Sequence, residues 1–283
     1  MPEMGNADMA MNGRLAGKVA IVTGAGSSGP GVGTGKAISV LLAREGASVL
    51  LVDNVPERAE ETLRLVKAES GEGEIFTGDV SRWADCEAMV QAAVERFGGL
   101  DILVNNAAVT HHVSIVDTTP ELYEHIVGVN LTGPFMACKF AVPALIARGG
   151  GSIVNIGSIA SVRDSGSTHP AYSATKAALL GLTTDLAGAY GRQNLRVNAV
   201  LPGIIATPMA QSVTTQTGSG GAMGANLLAR RGDAWDIAEA VLWLCSDGAA
   251  YITGVVLPVD GGAVAAMPAS YILRFGARDG EHL

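Results

Sequence analysis

The feature that most constrains this chain is a series of short apolar runs separated by longer stretches of helical period. Seven runs stand at Val19 to Thr23, Ser48 to Asp53, Glu74 to Asp79, Ile102 to Asn105, Ser152 to Ile156, Arg196 to Leu201 and Val255 to Val259. Most are continuous rather than alternating, so both faces of each strand are buried, as in a parallel sheet covered by helices on either side. Helices fit between them at 36–44, 57–68, 83–97, 120–147, 172–190 and 235–246. The first places Ala37, Ile38, Leu41 and Leu42 on one face and stops at Gly46, a residue suited to a left-handed helix end. Thr119-Pro120 is a good helix start, a hydroxyl cap followed by a proline whose missing N–H costs nothing there. The expected fold class is therefore α/β, a doubly wound parallel sheet of about seven strands with helices on both faces.

Bulk properties bound the rest. A chain of 283 residues with 48% hydrophobic and 16% charged content can bury one sizeable core. A formal net charge of -8 argues against a nucleic-acid surface, which needs clustered Lys and Arg. Cys86, Cys138 and Cys245 are odd in number, far apart and without a CxxC pair, so they read as reduced core thiols, not a disulfide framework or zinc site. Met1 to Asn12 has neither the basic start nor the apolar run of a secretion signal, and no apolar stretch of about 18 residues is present. A cytoplasmic protein without membrane or nucleic-acid partners is expected. The chain divides into a flexible extension (1–14), one domain (15–262) and a C-terminal extension (263–283), with Gln211 to Gly224 read as a mobile loop.

The first chemical signal is the glycine-rich turn Thr23-Gly24-Ala25-Gly26-Ser27-Ser28-Gly29-Pro30-Gly31-Val32-Gly33-Thr34-Gly35 between the first strand and the first helix. Glycines let a backbone turn tightly and approach a pyrophosphate, and a helix N-terminus aims unpaired N–H groups at the anion. Alone, the turn is also compatible with a plain flexible connection. Asp53 strengthens the nucleotide reading: it ends the second strand about 20 residues beyond Gly33, where a carboxylate can accept hydrogen bonds from ribose hydroxyls. That points to a Rossmann-type domain and to NAD, because a 2'-phosphate would meet like charge at Asp53 and neither Asn54 nor Val55 is an arginine. Lys36 is the nearby cation that would soften this preference.

The second signal is Tyr172-Ser173-Ala174-Thr175-Lys176. A spacing of four sets the phenol and ammonium on one helical face, and an adjacent cation favours the phenolate. Such pairs also occur on ordinary solvated helices, so the company matters. Ser158 lies just past the fifth strand, and Asn130 interrupts the long helical stretch after Gly128.

In this order and context the motifs resemble the short-chain dehydrogenase/reductase family over Gly17 to Gly262. They comprise Thr23-Gly24 with Gly31-Val32-Gly33, Gly78-Asp79-Val80, Asn105-Asn106-Ala107-Ala108, Asn130, Ser158, Tyr172 with Lys176, Pro202-Gly203 with Thr207, and Pro258-Val259-Asp260-Gly261-Gly262. The resemblance implies an NAD-dependent oxidoreductase acting on a secondary alcohol or ketone, close to glucose or cyclic-alcohol dehydrogenases. Tyr172 would be the general acid/base, Lys176 would lower its pKa and bind the nicotinamide ribose, Ser158 would hold the substrate oxygen, and Asn130 would place a relay water. Asp79 and Val80 would flank the adenine. Asn105, Asn106 and Ala107 would line the cleft. Pro202, Gly203, Ile205 and Thr207 would border the nicotinamide. A homotetramer is the family expectation. Alternatives are an NADPH-dependent 3-oxoacyl carrier-protein reductase, disfavoured by Asp53 and the acidic charge, and a non-catalytic nucleotide sensor.

Departures from the family pattern set further expectations. Gly24 and Gly31 enclose six residues where three are usual, which suggests an insertion at Ser28, Gly29 and Pro30. Ala108 replaces a glycine. Met209 to Ala229 is expected to form a lid hinged at Ala206-Thr207-Pro208. Tyr271 to Phe275 in the tail would dock on the cleft or a neighbouring subunit, or fray. His111 and His112 read as solvated loop histidines, and His169 as either that or a substrate contact; no third partner at metal spacing accompanies them.

Overall fold

A computed structural model describes residues 13–164, 168–209, 226–228 and 230–266. Seven strands form one sheet in the order β3-β2-β1-β4-β5-β6-β7, every pair parallel. They are β1 (Val19–Thr23), β2 (Ser48–Asp53), β3 (Glu72–Thr77), β4 (Ile102–Asn105), β5 (Gly151–Ile156), β6 (Leu195–Pro202) and β7 (Val256–Val259). The helices are α1 (Thr34–Arg44), α2 (Pro56–Ala68), α3 (Trp83–Phe97), α4 (Pro120–Val127), α5 (Gly133–Ala147), α6 (Pro170–Tyr190) and α7 (Ala234–Cys245). This is the doubly wound architecture expected. Adjacent residues of β1 serve opposite faces, Ala20 and Val22 packing in the core with α1 and α7 while Val19 and Ile21 pack in the core with α3 and α5. Continuous apolar runs are what a two-sided sheet requires.

The expected span of the third strand is displaced. It begins two residues earlier, at Glu72, because β3 is an edge strand with Glu72 and Glu74 exposed and Gly73 buried 3.2 Å from the Val49 carbonyl oxygen, measured from a Cβ position. No apolar run marks such a segment. Asp79 lies past the strand end, its Oδ1 accepting from the Ser81 N–H at 2.9 Å.

The single helix expected over 120–147 is broken by a π turn at Gly128–Thr132. Pro134 cannot donate the N–H that would close an α turn on Asn130, and the Gly133 N–H instead reaches back five residues to the Gly128 carbonyl. By length and hydropathy Pro120–Ala147 is apolar enough to cross a membrane, but 56% of its most apolar window is buried within the fold. Its apolar character is used in packing against α3 and β4.

The three cysteines are unpaired and buried, and burial pushes each thiol up to about 12. They are inert core residues, as expected.

Candidate active site

A cleft of about 690 Å³ runs along the carboxyl ends of the strands. Strand order reverses between β1 and β4, the place where a doubly wound sheet opens a crevice. The two strand ends are stapled together. The Thr23 hydroxyl accepts the N–H groups of Asn106 and Ala107 at 3.0 and 3.1 Å, and the Asn106 amide donates to the carbonyls of Thr23 and Gly24 at 2.9 Å each. Asn105, expected to line the cleft, instead lies in the interior, donating to Asn155 Oδ1 at 2.8 Å.

The glycine turn is phased differently from the expectation. A Cβ on Gly35 would fall on the Gly24 carbonyl oxygen and lie 2.5 Å from the Asn106 amide nitrogen, so α1 can approach β1 only with glycine there. Gly24, Gly33 and Gly35 are therefore the glycines that shape the site, and residues 28–32 form a five-residue excursion. Gly24, Gly26, Ser27, Gly33, Thr34 and Gly35 border the cleft, whereas Gly31 and Val32 do not. Val32 packs against the core, and Gly31 faces Pro208. Ser27 Oγ accepts the Gly33 N–H at 2.7 Å, closing the excursion at its base. Lys36 is fully buried beneath it, donating to the Gly31 carbonyl at 3.1 Å and pairing with Glu61 at 2.8 Å.

Asp53 reaches the cleft as expected. Its Oδ2 accepts the Gly26 N–H at 2.9 Å and its Oδ1 the Val55 N–H at 3.0 Å. The cation that the sequence reading overlooked is Arg58, on the first turns of α2, which packs over Gly26 and borders the cleft next to Asp53. Asp79, Val80, Asn106, Ala107, Pro202, Gly203, Ile205 and Thr207 all line the same cleft.

At the other end, Ser158, Tyr172 and Lys176 converge from β5 and α6. The Ser158 hydroxyl caps the 3-10 turn Ile159–Ser161, accepting the Ala160 N–H at 3.2 Å, and hydrogen-bonds the Tyr172 phenol. Lys176 is buried, donates to the Ile156 carbonyl at 2.6 Å, and holds its Nζ 5.8 Å from the Tyr172 ring centroid. Burial lowers its pKa to about 8. The phenol behaves differently from the expectation: burial raises it, and the Ser158 hydrogen bond offsets only part of that rise. The cost of removing a phenolate from water outweighs the hydrogen bond that favours it.

Asn130 does not border the cleft. Its amide clamps Val109, Nδ2 donating to the carbonyl and Oδ1 accepting the N–H, both at 2.8 Å, and Nδ2 also lies 3.3 Å from the Thr175 hydroxyl on α6. The π turn thus ties the loop after β4 to the helix bearing Tyr172. Asn130→Ala would strand both Val109 groups in the interior and is expected to destabilise the fold by about 1–3 kcal/mol, read as a lower urea midpoint.

His112 departs from the solvated loop residue expected. Both ring nitrogens are buried, its ring lies 5.1 Å from that of His169, and His169 lies 5.1 Å from Tyr172. Burial holds both imidazoles below their ordinary pKa, with His111 adding to the effect on His112. Only the location of His169 was suggested by its place in the loop before Tyr172. His111 is exposed. Among the described residues, no three His, Cys, Asp or Glu side chains gather as a metal site. The expected lid is outside the described residues except for Met209, 226–228 and the hinge; so are the first twelve residues and the tail from 267. Arg163, in the loop before α6, donates to the carbonyls of Ala263 and Ala266.

A crevice at the strand ends with a Tyr-Lys-Ser cluster at one end and a carboxylate at the other is the arrangement of a nucleotide-binding oxidoreductase. Comparisons with known proteins agree. A family model described as enoyl-(acyl carrier protein) reductase matches residues 30–264. A 3-oxoacyl-[acyl-carrier-protein] reductase of Thermotoga maritima is 34% identical over 252 residues, covering 89% of this chain and 99% of that protein. Levodione reductase of Leifsonia aquatica is 35% identical over 263 residues, covering 89% and 96%. The crystal structure of carveol dehydrogenase from Mycobacterium avium in complex with NAD superposes with a TM-score of 0.83 at 32% identity, covering 90% and 100%. The chain belongs to the short-chain dehydrogenase/reductase family of oxidoreductases.

Proposed function

We propose that the chain interconverts a secondary alcohol and its ketone with NAD(H), using Tyr172 as general acid/base. The observation that carries this reading is the Ser158–Tyr172 hydrogen bond on the wall of a cleft whose far end holds Asp53. The residues present fit a dinucleotide: the Asp53 carboxylate is fixed by two backbone N–H groups, and the N-terminus of α1, which Gly35 allows to sit close against β1, borders the cleft where a pyrophosphate would lie. When bound, the nicotinamide supplies hydride donation and acceptance. Asp79, Val80, Asn106 and Ala107 would border its adenosine half, and Pro202, Gly203, Ile205 and Thr207 the nicotinamide half.

In ketone reduction Tyr172 donates its phenolic proton to the carbonyl oxygen, and in oxidation it takes the proton back. Ser158 holds that oxygen and stabilises the charge developing on it. Lys176 binds ribose hydroxyls from the floor of the cleft. Asn130 positions the loop and helix that frame these groups.

Asp53 favours NAD over NADP, and Arg58 beside it makes the preference testable. Asp53→Ser is expected to weaken NAD use about tenfold or more by removing charged hydrogen-bond acceptors, while NADP use rises because Arg58 then faces the 2'-phosphate unopposed. Initial rates of NADH formation from a panel of secondary alcohols, repeated with NADP, check both the activity and the preference. No turnover with either cofactor across the panel would remove the reading. The Thermotoga maritima relative supplies a second reading, a 3-oxoacyl carrier-protein reductase, which would show as faster NADPH oxidation with a 3-oxoacyl thioester than NADH oxidation with simple ketones.

A further inference from the structure

The wall of the cleft around Tyr172 carries polar atoms for which the proposed proton transfer has no use. Both ring nitrogens of His112 and the hydroxyl oxygen of Thr110 are buried without a hydrogen-bond partner, and both residues line the cleft. Leaving buried polar atoms unpaired destabilises a fold, so three of them within three residues of one loop mark a place where a ligand supplies the missing bonds. The loop is held in position. Val109, immediately before Thr110, is clamped at both its N–H and its carbonyl by Asn130, which also contacts Thr175 on the helix of Tyr172.

His112 is aligned with the reacting end by ring packing. Its ring lies 5.1 Å from His169 at an interplanar angle of 60°, and His169 repeats that spacing and angle to Tyr172. The three rings follow one another in tilted contact, with His112 the far member. Burial and the neighbouring His111 favour the uncharged imidazole, which offers one donor and one acceptor. An uncharged donor-acceptor pair suits a hydroxyl or carbonyl. A carboxylate or phosphate would call for a cation instead.

We propose that the substrate carries a second oxygen function, and that His112 with Thr110 hydrogen-bonds it while Ser158 and Tyr172 take the reacting oxygen. The substrate class is then a diol, hydroxy ketone or diketone, in preference to a simple alcohol. This rests on Tyr172 being the proton-transfer group.

The test compares matched pairs on one skeleton, cyclohexanol against each positional isomer of cyclohexanediol and cyclohexanone against the corresponding diketones. In the wild-type protein the best dioxygenated member is expected to exceed its monooxygenated partner in kcat/KM by about tenfold or more, chiefly through KM. His112→Leu should bring each pair to within about twofold, and His112→Gln, which keeps a donor and an acceptor, should retain part of the preference. NADH affinity of each variant verifies that it has folded. Equal use of the pairs by wild type, or a preference that survives His112→Leu, overturns the proposal. If no member turns over, the oxidoreductase reading fails on its own, and equilibrium binding of the same compounds to the protein–NADH complex decides this one: diol-selective binding lost in His112→Leu supports it, and unselective binding overturns it.

Discussion

Tyr172→Phe is expected to lower kcat by about 10³-fold or more in both directions, within the range that general acid/base catalysis contributes, while NADH affinity stays near that of the wild type. The substitution keeps the ring that packs at a tilt against His169 and removes only the oxygen that hydrogen-bonds Ser158. Packing is therefore preserved and the loss can be assigned to the proton. The wild-type pH dependence has a definite sign. Burial holds the phenol above its ordinary pKa, so at neutral pH it is protonated and ready to donate to a ketone oxygen. Alcohol oxidation needs the phenolate, so its rate should climb as pH rises toward the phenol's titration, and ketone reduction should fall over the same range. Steady-state rates in both directions across pH test this. Substantial turnover by the phenylalanine variant would remove Tyr172 as the proton carrier, and an oxidation rate that falls with rising pH would contradict the protonated phenol.

How far the site could be read from sequence follows from how local each signal is. Tyr172 and Lys176 are four residues apart on one helix, so helical geometry alone brings them together, and Asp53 is placed by ending a strand with an unbroken apolar run. The inner strands were legible for the same reason. Signals that depend on a partner distant in sequence were not. Asn105 and Asn106 are adjacent and identical in type, and only pairing of β4 with its neighbours decides that one turns inward to Asn155 and the other staples Thr23 to Gly24. The π turn at Gly128–Thr132 could have been suspected from Pro134, since a proline there denies Asn130 its usual partner. His112 carried no local mark at all. Its burial arises because the loop after β4 folds back against the loop before α6, bringing His169 to it.

The glycine turn shows the same limit and yields the sharpest structural test. Gly31-Val32-Gly33 and Gly33-Thr34-Gly35 are equivalent patterns on paper, and only a tertiary contact tells them apart. At Gly35 a Cβ would meet the Gly24 carbonyl, a backbone atom at the end of β1 that cannot swing aside as a side chain could. At Gly31 a Cβ would lie 3.7 Å from Pro208, an ordinary contact, and only its φ of 113° would be strained. Gly35→Ala must therefore push the start of α1 away from β1, with an overpacking cost of about 1–3 kcal/mol. Because the anion-binding N–H groups move with the helix, NADH affinity is expected to fall about 100-fold, the scale on which a displacement of about 1 Å acts in a preorganised site. Gly31→Ala should instead cost only about 1–2 kcal/mol of backbone strain and leave NADH affinity close to wild type, since residues 28–32 stand outside the cleft wall apart from Ser28. Urea midpoints separate the stability losses, and fluorescence titration with NADH separates the binding ones. If Gly31→Ala abolished NADH binding while Gly35→Ala retained it, the excursion itself would be the phosphate loop and the two glycine pairs would exchange roles.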